Sequence, residues 1–233
     1  MKVSCVSSVY GEDFHAISGV WYRKNREFIP NGASFHLVNL DSNINPSLLL
    51  DVEYSFRRGA TDKISLVWGD GDLPRLQKIE ELCMSGAVCV HVDLDLAFFR
   101  DITPILQLPY DFIISRAFAF PKDVSEKIGF VGCTGFYVAK PDSLPFLSYW
   151  IRLIERLTKV DQEAINQVFG DLEWKELECV GDHCTYSHTV STWNDVSILV
   201  LDSKMLPRNI EDISDDSYGV HNPKVISDIW GIR

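Results

Sequence analysis

Two carboxylates close an apolar run. Asp93 and Asp95 follow Val88-Cys89-Val90-His91-Val92, which has the β-branched content of a buried strand. Residues two apart on a strand share a face, so both acids point one way and Leu94 the other. Burying an unpaired carboxylate is costly, so the pair needs a cation, hydrogen-bond donors or water. Strand ends are also where open α/β sheets bind ligands. Oxygen ligands suit Mg²⁺ and Mn²⁺, and Mg²⁺ commonly joins one or two carboxylates to the phosphates of a ligand. Such an ion would offset the charge of a diphosphate leaving group. The spacing alone also fits a plainer arrangement, in which Asp95 caps the next turn and Asp93 meets solvent or a basic partner.

Composition narrows the partner classes. A chain of 233 residues can bury a sizeable core, and one domain over residues 1–233 is the simplest reading. With 46% apolar and 12% aromatic residues, the composition argues against general disorder. A formal net charge of −11 argues against an extended nucleic-acid face, although a nucleotide can still bind through an ion and local Lys or Arg. No apolar run approaches the roughly 18 residues of a membrane span. Residues 1–9 are too short and too polar for a secretory signal, so no transmembrane segment and a cytoplasmic location are expected. Six cysteines would allow three disulfides, but a chain of this size does not need them. Cys5, Cys83, Cys89 and Cys133 lie in apolar segments and read as buried thiols. Cys179 and Cys184 flank Asp182 and His183, without the Cys-x-x-Cys or paired-histidine spacing that would support zinc.

The elements around the acid pair alternate between strand and helix. Residues 2–9 read as a strand, then Tyr10-Gly11-Glu12-Asp13 as a turn into a helix through about residue 27, with Asp13 as a cap. Residues 34–40 and 64–68 are further strands, and residues 69–72 a turn. Pro74 suits the first turn of a helix with Leu76, Ile79, Leu82 and Cys83 on one side, and Gly86 separates it from the strand bearing the acids. Leu96-Ala97-Phe98-Phe99 reads as a short helix or turn, residues 110–115 as a strand, and residues 129–139 as a loop entering a strand. Residues 141–157 and 161–169 read as helices, 197–201 as a late strand, 207–222 as a polar closing loop, and 223–230 as a terminal helix. This rhythm predicts an α/β fold with a mixed, mostly parallel central sheet flanked by helices.

Three segments together carry a resemblance. His91-Val-Asp93-Leu-Asp95-Leu-Ala-Phe-Phe-Arg-Asp101 resembles a segment of the nucleotide-diphospho-sugar transferase domains of the GT-A glycosyltransferase fold. Gly132-Cys133-Thr134-Gly135-Phe136-Tyr137-Val138 resembles the later Asn-Thr-Gly-type segment of that family, and Asp161-Gln162-Glu163-Ala164-Ile165-Asn166 its Asp-Gln-x-x-x-Asn helix. The order is the family's, and the likeness is best from about residue 75 to 170.

The resemblance implies a GT-A-like fold and transfer of a sugar from a nucleotide diphosphate sugar, a UDP-sugar being favoured, to a carbohydrate or other hydroxyl acceptor. It implies Mn²⁺ (or Mg²⁺) as cofactor, with Asp95 as direct ligand and Asp93 on the metal or the donor. His221, in Val220-His221-Asn222-Pro223, would be the third ligand, or only a histidine at a helix boundary or the surface; His183 and His188 have no matching motif. Donor contacts would fall to Ser8 and Tyr10 after strand one, and to Thr134 and Gly135, where glycine allows close approach. Tyr10 would stack on the base or sit at the rim of the core. Arg75 and Lys78 lie one turn apart, and Lys78 is preferred for the diphosphate because relatives carry a basic position before the acid pair. Cys133 departs from the asparagine common in relatives, so no side-chain contact is assigned to it. Asp161 and Gln162 are the catalytic candidates, Asp161 as the base of an inverting reaction or only as a helix cap. Residues 1–100 would serve mainly the nucleotide and 101–233 the sugar and acceptor.

Two other classes share these residues. A nucleotidyltransferase would use the same carboxylates but usually needs phosphate-binding glycines, and neither Gly-rich fingerprint occurs. A catalytically inactive sugar- or protein-binding module would keep the fold without turnover. Phe118, Phe120, Phe130 and Tyr137 form either a sugar-stacking wall or part of an aromatic core.

Overall fold

A computed structural model describes residues 1–9, 12–39, 64–68, 73–157, 160–178, 187–222 and 228–229. The main sheet contains β1 (Val3–Val9), β2 (Ser34–Asn39), β3 (Ile64–Trp68), β4 (Val88–Val92), β6 (Phe112–Ala117), β7 (Val131–Ala139), β8 (Lys175–Glu178), β9 (Ser187–Trp193) and β10 (Val196–Val200). These nine strands are ordered β3-β2-β1-β4-β7-β6-β10-β9-β8. Pairing is parallel from β3 through β4 and between β6 and β10. Only β7 and β9 run against the other strands, so the sheet is mixed but mostly of one direction. A second, two-stranded antiparallel sheet pairs β5 (Leu96–Phe98) with β11 (Gly219–His221).

Both faces of the main sheet are covered, as parallel strands require. Val88, Val90 and Val92 of β4 enter one apolar cluster with Trp21, Phe35 and Phe136. Cys89 enters the other, with Leu76, Ile79, Phe146 and Trp150. The first cluster is closed by α1 (Glu12–Asn25) and α3 (Thr103–Gln107), the second by α2 (Leu73–Met84), α5 (Leu144–Leu157) and α6 (Asp161–Phe169). The short α4 (Lys122–Ile128) lies along α6 and β7. Helix α5 forms because Phe146, Leu147, Trp150, Ile151, Leu153 and Ile154 make one apolar stripe, all of it buried. Each such side chain contributes about 1.5–3 kcal/mol on burial.

Several elements differ from expectation. Residues 96–98 form a strand, not a helix or turn. All three side chains are buried, and the backbone pairs with β11 on one edge. At the other edge Asn25 donates Nδ2–H to the Leu96 carbonyl at 2.9 Å, and its Oδ1 accepts the Phe98 N–H at 2.8 Å. The closing loop carries a 3-10 turn (Ile210–Asp212) as well as β11. Strands β8 and β9 were not anticipated; their residues are mostly polar and partly exposed. Cys5, Cys83, Cys89 and Cys133 are free and buried, as expected. Tyr10, residues 69–72, the group from Cys179 to Cys184 and nearly all of the expected terminal helix lie outside the described residues. Among the described residues no helix is long and apolar enough to cross a membrane.

Candidate active site

The acid pair sits where β4 leaves the sheet. The Asp93 N–H still continues the ladder, donating to the Gly135 carbonyl at 2.8 Å. The chain then turns, with the Leu96 N–H donating to the Asp93 carbonyl at 3.2 Å, and β5 begins. This turn brings the Asp95 carboxylate round toward that of Asp93. Strand β11 delivers the third group, because its pairing sets His221 opposite Leu96. The Asn222 N–H donates to the Asp95 carbonyl at 3.0 Å, and the His221 N–H to the Pro207 carbonyl at 3.0 Å. His221 Nε2 thereby stands 3.0 Å from Asp95 Oδ1 and 3.5 Å from Asp93 Oδ2. One ligand atom from each of the three residues lies within 4.8 Å of the others. Two carboxylates and an imidazole suit Mn²⁺ or Mg²⁺, with open positions left for ligand oxygens.

A break in register makes room for this group. In the β6–β7 pair, Ile114 faces Tyr137 but Ser115 faces Cys133. Residues 134–136 are therefore extra on β7, and the bulge pushes Thr134 and Gly135 toward the acids. Gly135 cannot carry a side chain, since a Cβ there would stand 1.8 Å from His221 Cε1. The base of the bulge is clamped by Asn166, whose Oδ1 accepts the Gly132 N–H at 2.7 Å and whose Nδ2–H donates to the Gly132 carbonyl at 2.8 Å.

Electrostatics favour an ionised Asp93 here. Burial works against the charge of Asp93, but hydrogen bonds from His221 and His91 outweigh it and hold its carboxyl well below the usual range. The His91 ring spans from the Val6 carbonyl oxygen (Nδ1, 3.0 Å) to Asp93 Oδ1 (Nε2, 3.0 Å), a strut under the first carboxylate. Burial opposes the charge on His221 as well; the Cys133 sulfur and hydrogen bonds to Asp93 and Asp95 overcome it and raise its pKa well above the usual value. The other ring nitrogen, Nδ1, has two neighbours. It is close to Arg208 Nη1, which also lies 3.3 Å from Cys133 Sγ, and is itself 3.6 Å from that sulfur. With Nδ1 bare, Arg208 donates to it. With Nδ1 protonated, the sulfur is its acceptor.

The remaining candidates separate into two groups. Thr134, Gly135 and Gln162 line a cleft of about 480 Å³ together with Asp93, Asp95 and His221. Gln162 is steadied by Nε2–H donation to the Phe120 carbonyl at 2.7 Å. Asp161 points away from that cleft. One of its oxygens pairs with Arg75 Nη2, and the other accepts the Gln162 N–H at 2.6 Å, so it orients the first turn of α6, whose N-cap residue is Val160. Arg75, not Lys78, is the buried cation: it also reaches Ser8 Oγ at 3.3 Å and His91 Nε2 at 3.4 Å. Lys78 is turned to Glu81 at 2.8 Å. The spacing held the signal, since Arg75 falls four residues before Ile79 and seven before Leu82 on the buried face of α2. The aromatic set divides in the same way. Phe130 and Tyr137 are core, whereas Phe118 and Phe120 are about half exposed on the cleft wall. His188 is buried in β9, accepting the Asp202 N–H at Nδ1, and takes no part. Arg208 was missed, because a lone basic residue in a polar loop carries no pattern. A larger hollow of about 1000 Å³ between α4 and α6 shares Phe120 with the cleft but contains neither acid of the pair.

No protein-family model matches this chain, and no curated protein matches it in sequence. Solved structures do match. The galactosyltransferase LgtC, in complex with donor and acceptor sugar analogs, aligns with a TM-score of 0.62 at 13% identity, over 94% of this chain and 86% of that one. An LgtC active-site mutant with glutamate in place of a glutamine gives 0.60 at 12% identity over the same shares. The apo-form glycosyltransferase GlyE of Streptococcus pneumoniae TIGR4 gives 0.54 at 14% identity, over 95% of this chain and 54% of that one. At such identities the likeness is one of fold. The chain has a GT-A-like glycosyltransferase fold, as the three sequence segments implied.

Proposed function

We propose that this protein is a metal-dependent glycosyltransferase that moves a sugar from a nucleotide diphosphate sugar, a UDP-sugar first among them, to a hydroxyl acceptor. The observation that carries this reading is the Asp93, Asp95 and His221 group at the end of β4, in a cleft of a GT-A-like fold. Asp93, Asp95 and His221 would hold Mn²⁺ or Mg²⁺, which when bound supplies positive charge to the diphosphate leaving group. Thr134 and the backbone at Gly135 line the cleft beside the donor sugar. Gln162 presents its carboxamide to the sugar or acceptor; it is the glutamine of this cleft among the described residues, and the active site of LgtC also contains a glutamine. Phe118 and Phe120 offer faces on which an acceptor sugar stacks. Ser8 is held by Arg75, which also pairs with Asp161. With Asp161 committed to Arg75, Asp93 and Asp95 are the only carboxylates lining the cleft among the described residues. A reaction without a separate protein base, with retention at the anomeric carbon, fits that inventory better than inversion.

The test is a panel of nucleotide sugars with and without Mn²⁺, following released nucleotide and the anomeric configuration of the product. Mn²⁺-dependent release from at least one donor, abolished by Asp95→Asn, is the expected result. No release from any donor, or release untouched by Asp95→Asn, would sink the reading.

A further inference from the structure

A second cavity adjoins the cleft. The hollow of about 1000 Å³ between α4 and α6 and the cleft of about 480 Å³ share one side chain, Phe120. Either volume lies in the range of a ligand site. Helix α6 serves both. Gln162 lines the cleft, while Glu163 and Gln167, four residues apart and so on one face of the helix, line the hollow. The rim between the two cavities is tied to both helices. Gln162 Nε2–H donates to the Phe120 carbonyl at 2.7 Å, and Ser125 Oγ–H of α4 donates to the Phe118 carbonyl at 2.5 Å. The Phe120 side chain is about half exposed, and no other ring packs on it among the described residues.

The lining of the hollow suits an uncharged ligand rich in hydroxyl groups. Both of its ammonium groups are engaged, Lys122 with Glu126 at 3.5 Å and Lys127 with Asp171 at 3.2 Å. The side chains of Asp123, Glu163 and Gln167 have no partner among the described residues. A carboxylate accepts at two oxygens and a carboxamide both donates and accepts, which matches neighbouring hydroxyls on a sugar ring. The open phenyl face of Phe120 suits the C–H face of such a ring. With four carboxylates against two ammonium groups, an anionic ligand is repelled, so a diphosphate does not belong here. An apolar peptide side chain would find little to bury against, since Pro121 and Val124 are already buried and only Phe120 offers open apolar surface.

We infer that the hollow between α4 and α6 binds the sugars next to the reacting one in an uncharged oligosaccharide acceptor. The acceptor crosses the Phe120 ring. Its reacting hydroxyl lies in the cleft with Gln162, and its following sugars lie against Glu163, Gln167 and Asp123. This rests on the proposed sugar transfer and narrows its acceptor, from any hydroxyl compound to a neutral chain of two or more sugars.

The test is acceptor kinetics with Mn²⁺ and the nucleotide sugar that the donor panel selects. The acceptors are neutral mono-, di- and trisaccharides of glucose, galactose and N-acetylglucosamine, and serine amide against a serine-containing pentapeptide. The unaltered protein is compared with Asp123→Ala and with the double variant Glu163→Ala, Gln167→Ala, in which alanine preserves the helix. In the unaltered protein kcat/KM should rise at least about 10-fold from mono- to trisaccharide in one series or more, with the gain in KM. The double variant should lose about 10-fold on the trisaccharide, the effect of two neutral hydrogen bonds, and Asp123→Ala should lose less. Monosaccharide transfer and donor hydrolysis should not change. A response that is flat with chain length overturns the inference, and so does an equal loss on mono- and trisaccharide. A length gain confined to the peptide overturns the carbohydrate class. Calorimetric titration of the same saccharides, without donor or metal, separates this failure from that of the proposed reaction. If no nucleotide sugar is turned over but the trisaccharide binds more tightly than the monosaccharide, and the double variant erases the difference, the reaction falls and the hollow stands as a sugar site.

Discussion

Two charged centres sit side by side at this end of the sheet, and they are built on opposite principles. At the Arg75–Asp161 pair, one acid meets one guanidinium, both are buried, and every strong partner is protein. At the second centre, Asp93 and Asp95 share the imidazole of His221 on the wall of a cleft, with His91 beneath Asp93. The first centre is closed and the second has acceptors to spare. A carboxylate matched inside the fold positions things; carboxylates in excess at a cavity wait for a partner from outside. The sequence motifs contained both kinds without marking which was which.

Substitutions can break that distinction. Asp95→Asn should lower Mn²⁺-dependent transfer at least about 1000-fold, about 4 kcal/mol of lost transition-state stabilisation, and leave the thermal unfolding midpoint nearly unchanged. Asp161→Asn should do the converse. Removing one partner of a buried pair costs about 3–5 kcal/mol of stability, read by denaturant unfolding, while Mn²⁺ affinity stays within a few-fold. If Asp161→Asn instead abolished Mn²⁺ binding and spared stability, the two centres would not be separate. Gly135→Ala puts a methyl group where the His221 ring lies, so Mn²⁺ affinity should drop about 10- to 100-fold, with a smaller loss of stability from overpacking.

The smallest effect belongs to histidines outside both centres. Burial, then the charge of Lys78, pushes His36 down from 6.5 to about 4, and burial lowers His188. Their folded values lie below the unfolded ones, so the unfolded chain takes up protons first on acidification. Stability from these groups is whole above about pH 6.5 and declines toward pH 4. Unfolding midpoints at pH 7 and pH 4.5 should differ in that sense, and His36→Asn should flatten the difference. A midpoint that rises on acidification would contradict it.

How much of this was legible in the chain depends on the range of the interaction. The run Val88-Cys89-Val90-His91-Val92 is fully buried and reads as a strand because both its faces are core. Helix α5 is legible for the same local reason. The identity of β5 was not, because three residues show no period and its partner strand is far away in the chain. The preference for Lys78 over Arg75 attended to charge and not to the helical face, which puts Arg75 in the interior and Lys78 beside Glu81. Gly135 was singled out for close approach, but only the folded chain identifies the intruder as the ring of His221. Arg208 gave no local sign at all.

The pairing of β5 with β11 has a consequence for how the protein comes to be. Asp93 and His221 are separated by more than half of the sequence, and the last ligand rides on a three-residue strand paired only with β5 among the described residues. A nascent chain that has already folded β1 through β7 carries both aspartates but cannot complete the group. If the group holds an ion as proposed, loading it would require β11 to be docked on β5. An ion that binds the docked state and not the undocked one would also draw β11 onto β5, by an amount that rises with the logarithm of metal concentration. Cleavage in the segment before His221 should accordingly slow when Mn²⁺ is present. The ion would then protect the segment that supplies its third ligand.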